Sequence, residues 1–378
     1  MKARNILYSI AAGLFSLSSC IYPYDPDINK ETDKTIVIEG EILVGGTSTI
    51  RLSYLTDLEK LSESVTKPQG KAWVEDRDGK RYLPATDIKS STINIPMNDA
   101  VNSTQYRAVI EVEGQTYASD WLDIAPPPTI LDVYFGADDT RVTVYADIDA
   151  EQCHSGYLGF GYEETWEFHA DFLPEYTVNP KDWSYAEIMT SWPYYWCYRS
   201  SQSKQMVLLD YTTLDGAQPR KFPVFNFLRT DSRNHRRYSV LLKAFALSRD
   251  AYLYNKQTQN MSDVGGDLFS PEPGMLQGNL TCLTDENRQV MGLVLAAEVA
   301  SKRVFLDSRY LKYLREDETV MKEVAPQDMY RYYYNLNYRP IRFITVDGQD
   351  VMGWAPHRCS NCVEAGGTQE KPSFWNEN

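Results

Sequence analysis

Histidine is scarce in this sequence of 378 residues, which has only His154, His169, His235 and His357. None of them stands in an H-E-x-x-H zinc motif, and no serine stands in a G-x-S-x-G elbow. Gly159 and Gly161 lack the third glycine and the following helix that a dinucleotide site requires. We therefore expect a protein that is not an enzyme and that carries no cofactor and no metal. A glycosidase pair stays as the alternative, because the separation of two carboxyl groups decides that chemistry and a sequence does not give it.

Basic residues are few relative to acidic ones. Lysine and arginine number 38 against 52 aspartate and glutamate residues, which gives a formal net charge of −14. Nucleic acids and anionic membrane surfaces require a basic footprint, so this charge excludes them as principal partners. Asp147, Asp149 and Glu151 alternate along the chain but lack the turn glycine and the distal glutamate of an EF-hand. We interpret them as solvated acids, with a calcium site as the alternative.

Long apolar runs are absent after the first twenty residues. The longest, over residues 290–297, predicts a buried strand, because a membrane-spanning helix needs about 20 apolar residues. The start of the chain differs, since Lys2 and Arg4 precede an apolar run over residues 6–17, which is the pattern of a secretory signal peptide. That run is followed by two serines and Cys20, an exit typical of lipoproteins. We predict a cleaved signal peptide over residues 1–19 and lipidation of Cys20, whose acyl chains would hold the protein at a membrane.

Short strands separated by turn residues dominate the rest of the chain, so the predicted fold class is mainly β. Residues 20–34 carry prolines and acids without periodicity and predict a lipidated tether. Residues 35–124 alternate strand-like runs with turn pairs such as Asp78-Gly79, which predicts an N-terminal immunoglobulin-like β-sandwich. Three prolines at 126–128 form a stiff spacer. Residues 125–378 predict a larger β-rich domain with one or two short helices, one of them capped by Ser248 over residues 249–259.

Six cysteines are present, and lipidation of one would leave an odd number, so at least one thiol stays unpaired. Cys359 and Cys362 form a C-x-x-C pair, but glycines and a proline follow where a redox motif would open a helix. A structural zinc site would need two further ligands, and no second pair is present. We hypothesise a structural role, with a disulfide among Cys197, Cys359 and Cys362. Metal or redox chemistry stays as the alternative.

Aromatic residues are abundant, with 27 tyrosines and 8 tryptophans. They concentrate in two clusters, over residues 192–198 and 330–334. Consecutive aromatic side chains cannot all point inward from a strand, because successive side chains face opposite sides. We therefore predict that part of each cluster forms a binding surface, with core packing as the alternative explanation. The candidate residues are Trp192, Tyr194, Tyr195, Tyr332 and Tyr333.

Several segments carry a resemblance through their order and spacing, namely Ile36 to Gly40, Tyr162 to Phe168, Trp196 to Ser200, Leu268 to Gly274, Ser301 to Phe305, Cys359 to Cys362, Gly366 to Thr368 and Lys371 to Trp375. Together they resemble a family of Bacteroidota outer-membrane lipoproteins catalogued as domain of unknown function 4249. The resemblance implies an outer-membrane location and genes for TonB-dependent transporters nearby. It supplies no catalytic residues, and Cys153 and Cys282 are not recognised as family positions. Asp25 and Asp27 partly resemble the surface-export signals of such lipoproteins.

The sequence and the resemblance together lead to one expectation about function. The chain would be a lipid-anchored protein of the outer membrane, exposed at the cell surface. It would act as a non-enzymatic binding accessory, beside a TonB-dependent nutrient transporter, with a peptide or a glycan as ligand. A structural or adhesive protein of the cell envelope is the alternative, and a hydrolase is the third.

Overall fold

The computed structural model describes residues 35–55, 67–102, 104–214, 218–263, 278–307 and 321–376. The predicted signal peptide, the tether, Cys20 and residues 268–274 lie outside this part of the chain. In the described ranges, no helix combines the length and the apolar character needed to cross a membrane.

Strands make up most of the ordered elements. In chain order they are β1 (Ile36–Val44), β2 (Thr47–Tyr54), β3 (Gly70–Asp76), β4 (Arg81–Tyr82), β5 (Thr92–Pro96), β6 (Tyr106–Val112), β7 (Gln115–Ser119), β8 (Thr129–Ala137), β9 (Arg141–Asp149), β10 (Tyr157–His169), β11 (Tyr176–Val178), β12 (Tyr185–Glu187), β13 (Trp196–Gln202), β14 (Val207–Asp210), β15 (Phe222–Leu228), β16 (Arg237–Ala246), β17 (Leu280–Cys282), β18 (Val290–Glu298), β19 (Ala300–Asp307), β20 (Lys322–Glu323), β21 (Tyr338–Val346) and β22 (Gln349–Pro356). The helical elements are α1 (Arg249–Asp263), a π-helical turn at Arg331–Asn335 and short 3₁₀ turns at Glu151–Cys153, Ser232–Asn234, Pro326–Asp328, His357–Cys359 and Ser373–Asn376. The mainly β fold class is confirmed.

The first sandwich packs a four-stranded sheet, in the order β18-β1-β2-β5, against a five-stranded sheet, in the order β17-β7-β6-β3-β4. Buried side chains recur at alternate positions along β1, as expected of a strand with one face on a core. Ile38, Ile50 and Ile95 of the first sheet share a buried cluster with Val74 and Ile110 of the second. This is the immunoglobulin-like sandwich that the sequence predicts for the N-terminal region.

Short turns fix the register of this sandwich. Asp78 and Gly79 lie in the hairpin that pairs β3 with β4. Glu113 and Gly114 join β6 to β7 and both have a positive φ, 53° and 76°. That is the backbone of a type I′ turn, whose twist matches the twist of the strands it connects.

Two strands of the first sandwich come from a distant part of the chain. β18 lies parallel to β1, with Ile36 opposite Val290, and β17 extends the other sheet beside β7. The Asn279 side chain ties the two together, because its amide donates to the Val294 carbonyl and accepts from the Val294 N–H. The first sandwich is therefore not complete within residues 35–124, and the boundaries predicted from sequence differ from the structure. Alternation along a strand indicates its buried face but not the sheet edge that it joins.

The second sandwich packs the sheet β15-β9-β8 against a five-stranded sheet in which β10 pairs with β13, β14 and β16, and β16 pairs with β19. Val144, Phe160 and Leu242 are fully buried between the two sheets. Inside this core the Arg233 side chain donates to both carboxylate oxygens of Glu164, at 2.8 and 3.1 Å. The Tyr238 hydroxyl donates to the same carboxylate at 2.7 Å. The buried negative charge is thus neutralised and hydrogen-bonded, as burial of a charge requires.

Helix α1 lies where the two sandwiches meet. The Ser248 hydroxyl accepts a hydrogen bond from the Ala251 N–H at 3.1 Å, which is the N-cap that the sequence predicts. Tyr252 packs in one cluster with Phe245 of β16 and Leu295 of β18. The helix therefore contacts one strand from each sandwich. It ends at Asp263, four residues beyond the predicted end.

A small module completes the fold. It combines the sheet β20-β22-β21 with the hairpin β11–β12, which the chain inserts between β10 and β13. Trp354 is fully buried in its core beside Val178 and Met329. The chain then runs back over the second sandwich, where Trp375 packs edge-on against Tyr198. We call the five strands β11, β12, β20, β21 and β22 the C-terminal module.

Candidate functional site

A cleft of about 510 Å³ opens where the second sandwich meets the C-terminal module. Its volume lies in the usual range for small-molecule sites, roughly 300–1,000 Å³. The polar residues that line it include His169, Asp171, Arg199, Ser232, His235 and Arg358. They come from the end of β10, from β13, from the turn before β16 and from the segment after β22. We call this site the histidine cleft.

The two histidines of the cleft are held in one orientation by a stack of rings. His169 stacks on His235 at 4.0 Å between ring centroids and on Tyr195 at 5.1 Å. The His235 Nδ1 accepts a hydrogen bond from the His169 backbone N–H at 3.2 Å. The His169 Nδ1 lies 2.7 Å from the Ala170 carbonyl oxygen, which can only accept, so Nδ1 carries the proton. The His169 Nε2 is therefore an acceptor in this tautomer.

The turn between β15 and β16 positions Ser232 and His235. The buried Asn234 amide donates to the carbonyls of Leu228 and Arg229, which fixes the turn. The Ser232 hydroxyl oxygen accepts from the Trp166 indole N–H at 3.1 Å. Because that bond uses only the oxygen, the Ser232 O–H keeps its capacity to donate.

Arg199 is the half-buried cation of the cleft. Its guanidinium lies 4.6 Å from the centre of the Phe168 ring and donates a hydrogen bond to the Ala365 carbonyl. Gly366 and Gly367 follow directly and leave room for this contact. A Cβ on Gly367 would lie 2.8 Å from the Phe168 ring and 2.6 Å from the Cys197 Cβ. This close approach explains why two glycines stand here.

A disulfide underlies the cleft. Cys197 and Cys362 are bridged, with their Cα atoms 5.7 Å apart and a sequence separation of 165. Both are fully buried. The bridge joins two of the three cysteines that the sequence singles out, and it ties β13 to the segment that follows β22. Cys153, Cys282 and Cys359 are free and buried.

Cys359 borders the cleft as a thiol. Burial, together with the neighbouring Asp171 carboxylate, raises its pKa to about 11, while Arg358 opposes the shift. At neutral pH the sulfur therefore stays protonated, and a protonated thiol is a poor nucleophile and a poor metal ligand. Asp171 and Arg358 lie against the same thiol, so their opposite charges partly offset each other.

The first aromatic cluster lies beside the cleft. The Trp192 indole N–H donates to the Ser360 carbonyl at 2.6 Å, which attaches the loop to the C-x-x-C segment. Tyr194 packs edge-on against Trp192 and remains 39 % exposed. Tyr195 lies in the ring stack, and Trp196, 38 % exposed, packs edge-on against His169. The structure thus brings this predicted surface and the cysteine pair to one place.

The second aromatic cluster is arranged differently from the sequence prediction. Tyr332 and Tyr333 pack against the core of the C-terminal module, whereas Tyr330 and Tyr334 are 63 % and 54 % exposed. In a helical turn, residues four apart share a face, and Tyr330 contacts Tyr334 at 4.9 Å. The exposed pair is therefore Tyr330 and Tyr334 instead of the pair that the sequence singled out.

A second cleft, of about 530 Å³, lies between the two sandwiches and is lined by charges of both signs, such as Glu39 and Lys204.

The candidate calcium ligands Asp147 and Asp149 bind backbone groups of nearby loops. Asp147 accepts a hydrogen bond from the Lys221 N–H, and Asp149 accepts one from the Glu151 N–H. Among the residues that the structure describes, no group of three or more His, Cys, Asp or Glu side chains could hold a metal ion.

No pattern in the sequence joins Arg199, Ser232, His169 and His235 into one site. His169 and His235 are 66 residues apart, and neither belongs to a motif. The local signal nearest to the site was the pair Gly366-Gly367, whose function in the fold is to admit Arg199 and the disulfide.

Solved structures offer distant similarities. A two-domain fibronectin type III segment from chicken tenascin is 10 % identical, covers 55 % of this chain and 88 % of that one, and gives a TM-score of 0.16. The calcium binding domain CBD12 of CALX1.1 is 10 % identical, covers 71 % and 98 %, and gives 0.18. Both TM-scores are below 0.5, which is too low to establish a shared fold.

The search of curated proteins finds no match. One family, described as a domain of unknown function, DUF4249, matches residues 21–303. That range includes the first sandwich and nearly all of the second, and it contains the His169, Arg199, Ser232 and His235 side of the cleft. The chain therefore belongs to the DUF4249 family.

Proposed function

We propose that the chain is an outer-membrane lipoprotein of the Bacteroidota type, anchored through Cys20 and exposed at the cell surface. In this proposal it acts as a non-enzymatic binding accessory of a TonB-dependent nutrient transporter and takes a peptide or a glycan. The basic, apolar and serine-rich start that ends at Cys20 supports the anchor. The resemblance of the sequence segments supports the compartment.

The histidine cleft is the observation that supports binding most directly. Two stacked histidine rings, a guanidinium fixed on Phe168 and a serine hydroxyl converge on one concavity. Their positions are set by backbone bonds, a disulfide and close glycine contacts. A preformed site of this kind costs little conformational entropy when a ligand enters.

The same geometry favours binding over catalysis. A nucleophile needs an adjacent base or a lowered pKa, but burial raises the pKa of the Cys359 thiol to about 11. Ser232 is bonded to the Trp166 indole, which is a donor and not a base. The two groups that could attack a substrate are therefore poorly activated.

Co-purification from native membranes in mild detergent tests the partnership. The full-length tagged chain should recover an outer-membrane barrel of the TonB-dependent class, and Cys20→Ala should lose it together with the membrane fraction. A chain that stays in the outer membrane but recovers no barrel would favour a structural or adhesive envelope protein.

Turnover assays on peptide and glycan panels test the absence of catalysis. The proposal predicts that substrates return with unchanged masses at micromolar protein. Product that is formed by the wild type and abolished by Ser232→Ala or Cys359→Ser would replace the proposal with a hydrolase.

A further inference from the structure

We propose that the histidine cleft binds an anionic group, a carboxylate or a phosphate or sulfate ester, with Arg199 as its main contact. This inference rests on the proposed binding function and names the chemical class of the ligand. The inference comes from a half-buried arginine that pairs with no carboxylate of the described residues, in a chain whose formal net charge is −14.

Arg199 differs from two other partly buried arginines of the chain. Arg107 and Arg233 each pair with a glutamate, respectively Glu75 and Glu164. Among the described residues, no carboxylate pairs with Arg199, whose hydrogen bond goes to the neutral carbonyl of Ala365. A guanidinium has five N–H donors in a planar fork that matches carboxylate and phosphate oxygens. Most of that donor capacity is open to a ligand.

The guanidinium is also held in place. The Phe168 ring lies 4.6 Å below it, and the Ala365 carbonyl fixes one nitrogen. The tight packing of Gly367 against Phe168 and Cys197 leaves this platform little room to shift. A preorganised arginine loses little side-chain entropy when an anion binds, which strengthens the complex.

The remaining polar groups of the cleft are mostly donors. The Ser232 O–H can donate, because its oxygen alone is used by the Trp166 indole. Arg358 adds a cation, and Asp171, the acid that lines the cleft, lies with Arg358 against Cys359. A neutral sugar alone would displace water from Arg199 without balancing its charge, which disfavours it. An anionic group balances the positive charge of Arg199 and accepts hydrogen bonds from the donors of the cleft.

Titration of the full-length chain in mild detergent with inorganic phosphate, inorganic sulfate and acetate tests the inference. The fluorescence of Trp196, which packs edge-on against His169, and calorimetry report binding. We expect saturable binding of at least one anion, weakened at least tenfold by Arg199→Gln. The phosphate, sulfate and acetate arms identify which oxyanion the cleft prefers.

A matched control comes from the first sandwich. Arg77 stacks on Trp121 at 4.3 Å and donates to Gln105, so Arg77→Gln removes a similarly stacked arginine away from the cleft. It should leave anion binding unchanged. If Arg199→Gln does not fold, Ser232→Ala should weaken binding about threefold or more, because it removes one donor.

No binding to the wild type at millimolar anion, or equal binding to Arg199→Gln, would overturn the inference. If the chain still recovers the transporter barrel when either of these results is obtained, the proposed function stands and only the anionic ligand class is rejected.

Discussion

The disulfide between Cys197 and Cys362 permits the sharpest prediction about stability. The perturbation is the double substitution Cys197→Ser with Cys362→Ser. Both positions are replaced together, because a single change at Cys197 would leave Cys362 able to pair with Cys359, three residues away. The control is Cys359→Ser, which removes a free thiol but keeps the bridge between Cys197 and Cys362.

The magnitude follows from the loop that the bridge closes. With a sequence separation of 165 residues, the chain-entropy model gives a loss of about 5 kcal/mol when the crosslink is removed. Native bridges typically contribute roughly 2–5 kcal/mol. For a cooperative unit of about 200 residues, 1 kcal/mol corresponds to about 2–4 °C in melting temperature. We therefore expect the melting temperature of the second sandwich to fall by on the order of 10 °C.

Calorimetry of the parent and the variants, with and without reductant, measures this effect. Reductant should lower the melting temperature of the parent and of Cys359→Ser, and should leave the double variant unchanged. A double variant that melts within about 2 °C of the parent would refute the reasoning. So would an equal effect of reductant on the double variant, because no bridge would then be left to reduce.

Three further predictions concern buried groups. Arg233→Ala should lower the free energy of unfolding by about 3–5 kcal/mol, because it leaves the buried Glu164 carboxylate without its cation. Urea unfolding measures this loss, and adding Glu164→Gln should restore part of it. The thiols of Cys153 and Cys359, whose pKa burial raises to about 11, should react with iodoacetamide at pH 8 roughly 100-fold more slowly than in the unfolded chain; comparable rates would contradict the assigned burial. Burial lowers the pKa of His357 below its ordinary 6.5, against the opposing effect of Glu364. The folded chain then binds fewer protons than the unfolded chain, so stability should fall as pH drops below about 6.5, and His357→Gln should remove that part of the slope.

The sequence was informative where structure is set locally. The strand predicted at residues 290–297 is present as Val290–Glu298, because an uninterrupted apolar run fits a strand buried on both faces. The Ser248 cap was readable for the same reason, since a cap depends on residues within one turn. The hairpin at Asp78-Gly79 likewise depends on the backbone preferences of two adjacent residues.

Long-range placement was not readable from one sequence. The strand β18 could have joined any open sheet edge, and only the fold shows that it completes the first sandwich beside β1. The histidine cleft also depends on long-range placement, since His169 and Arg199 lie on neighbouring strands while Ser232 follows two strands later. The tyrosine cluster illustrates a local failure. A π-helical turn exposes Tyr330 and Tyr334, and period-two reasoning for strands cannot identify that pair.

The central claim is that this chain binds a ligand without converting it. Equilibrium dialysis of the full-length chain in mild detergent against mixed peptide and glycan pools, followed by mass spectrometry of both compartments, tests this directly. The account predicts that a subset rich in carboxylate, phosphate or sulfate groups is retained with unchanged masses, and that Arg199→Gln releases it while Arg77→Gln does not. New product masses, or no retention of any component, would contradict it.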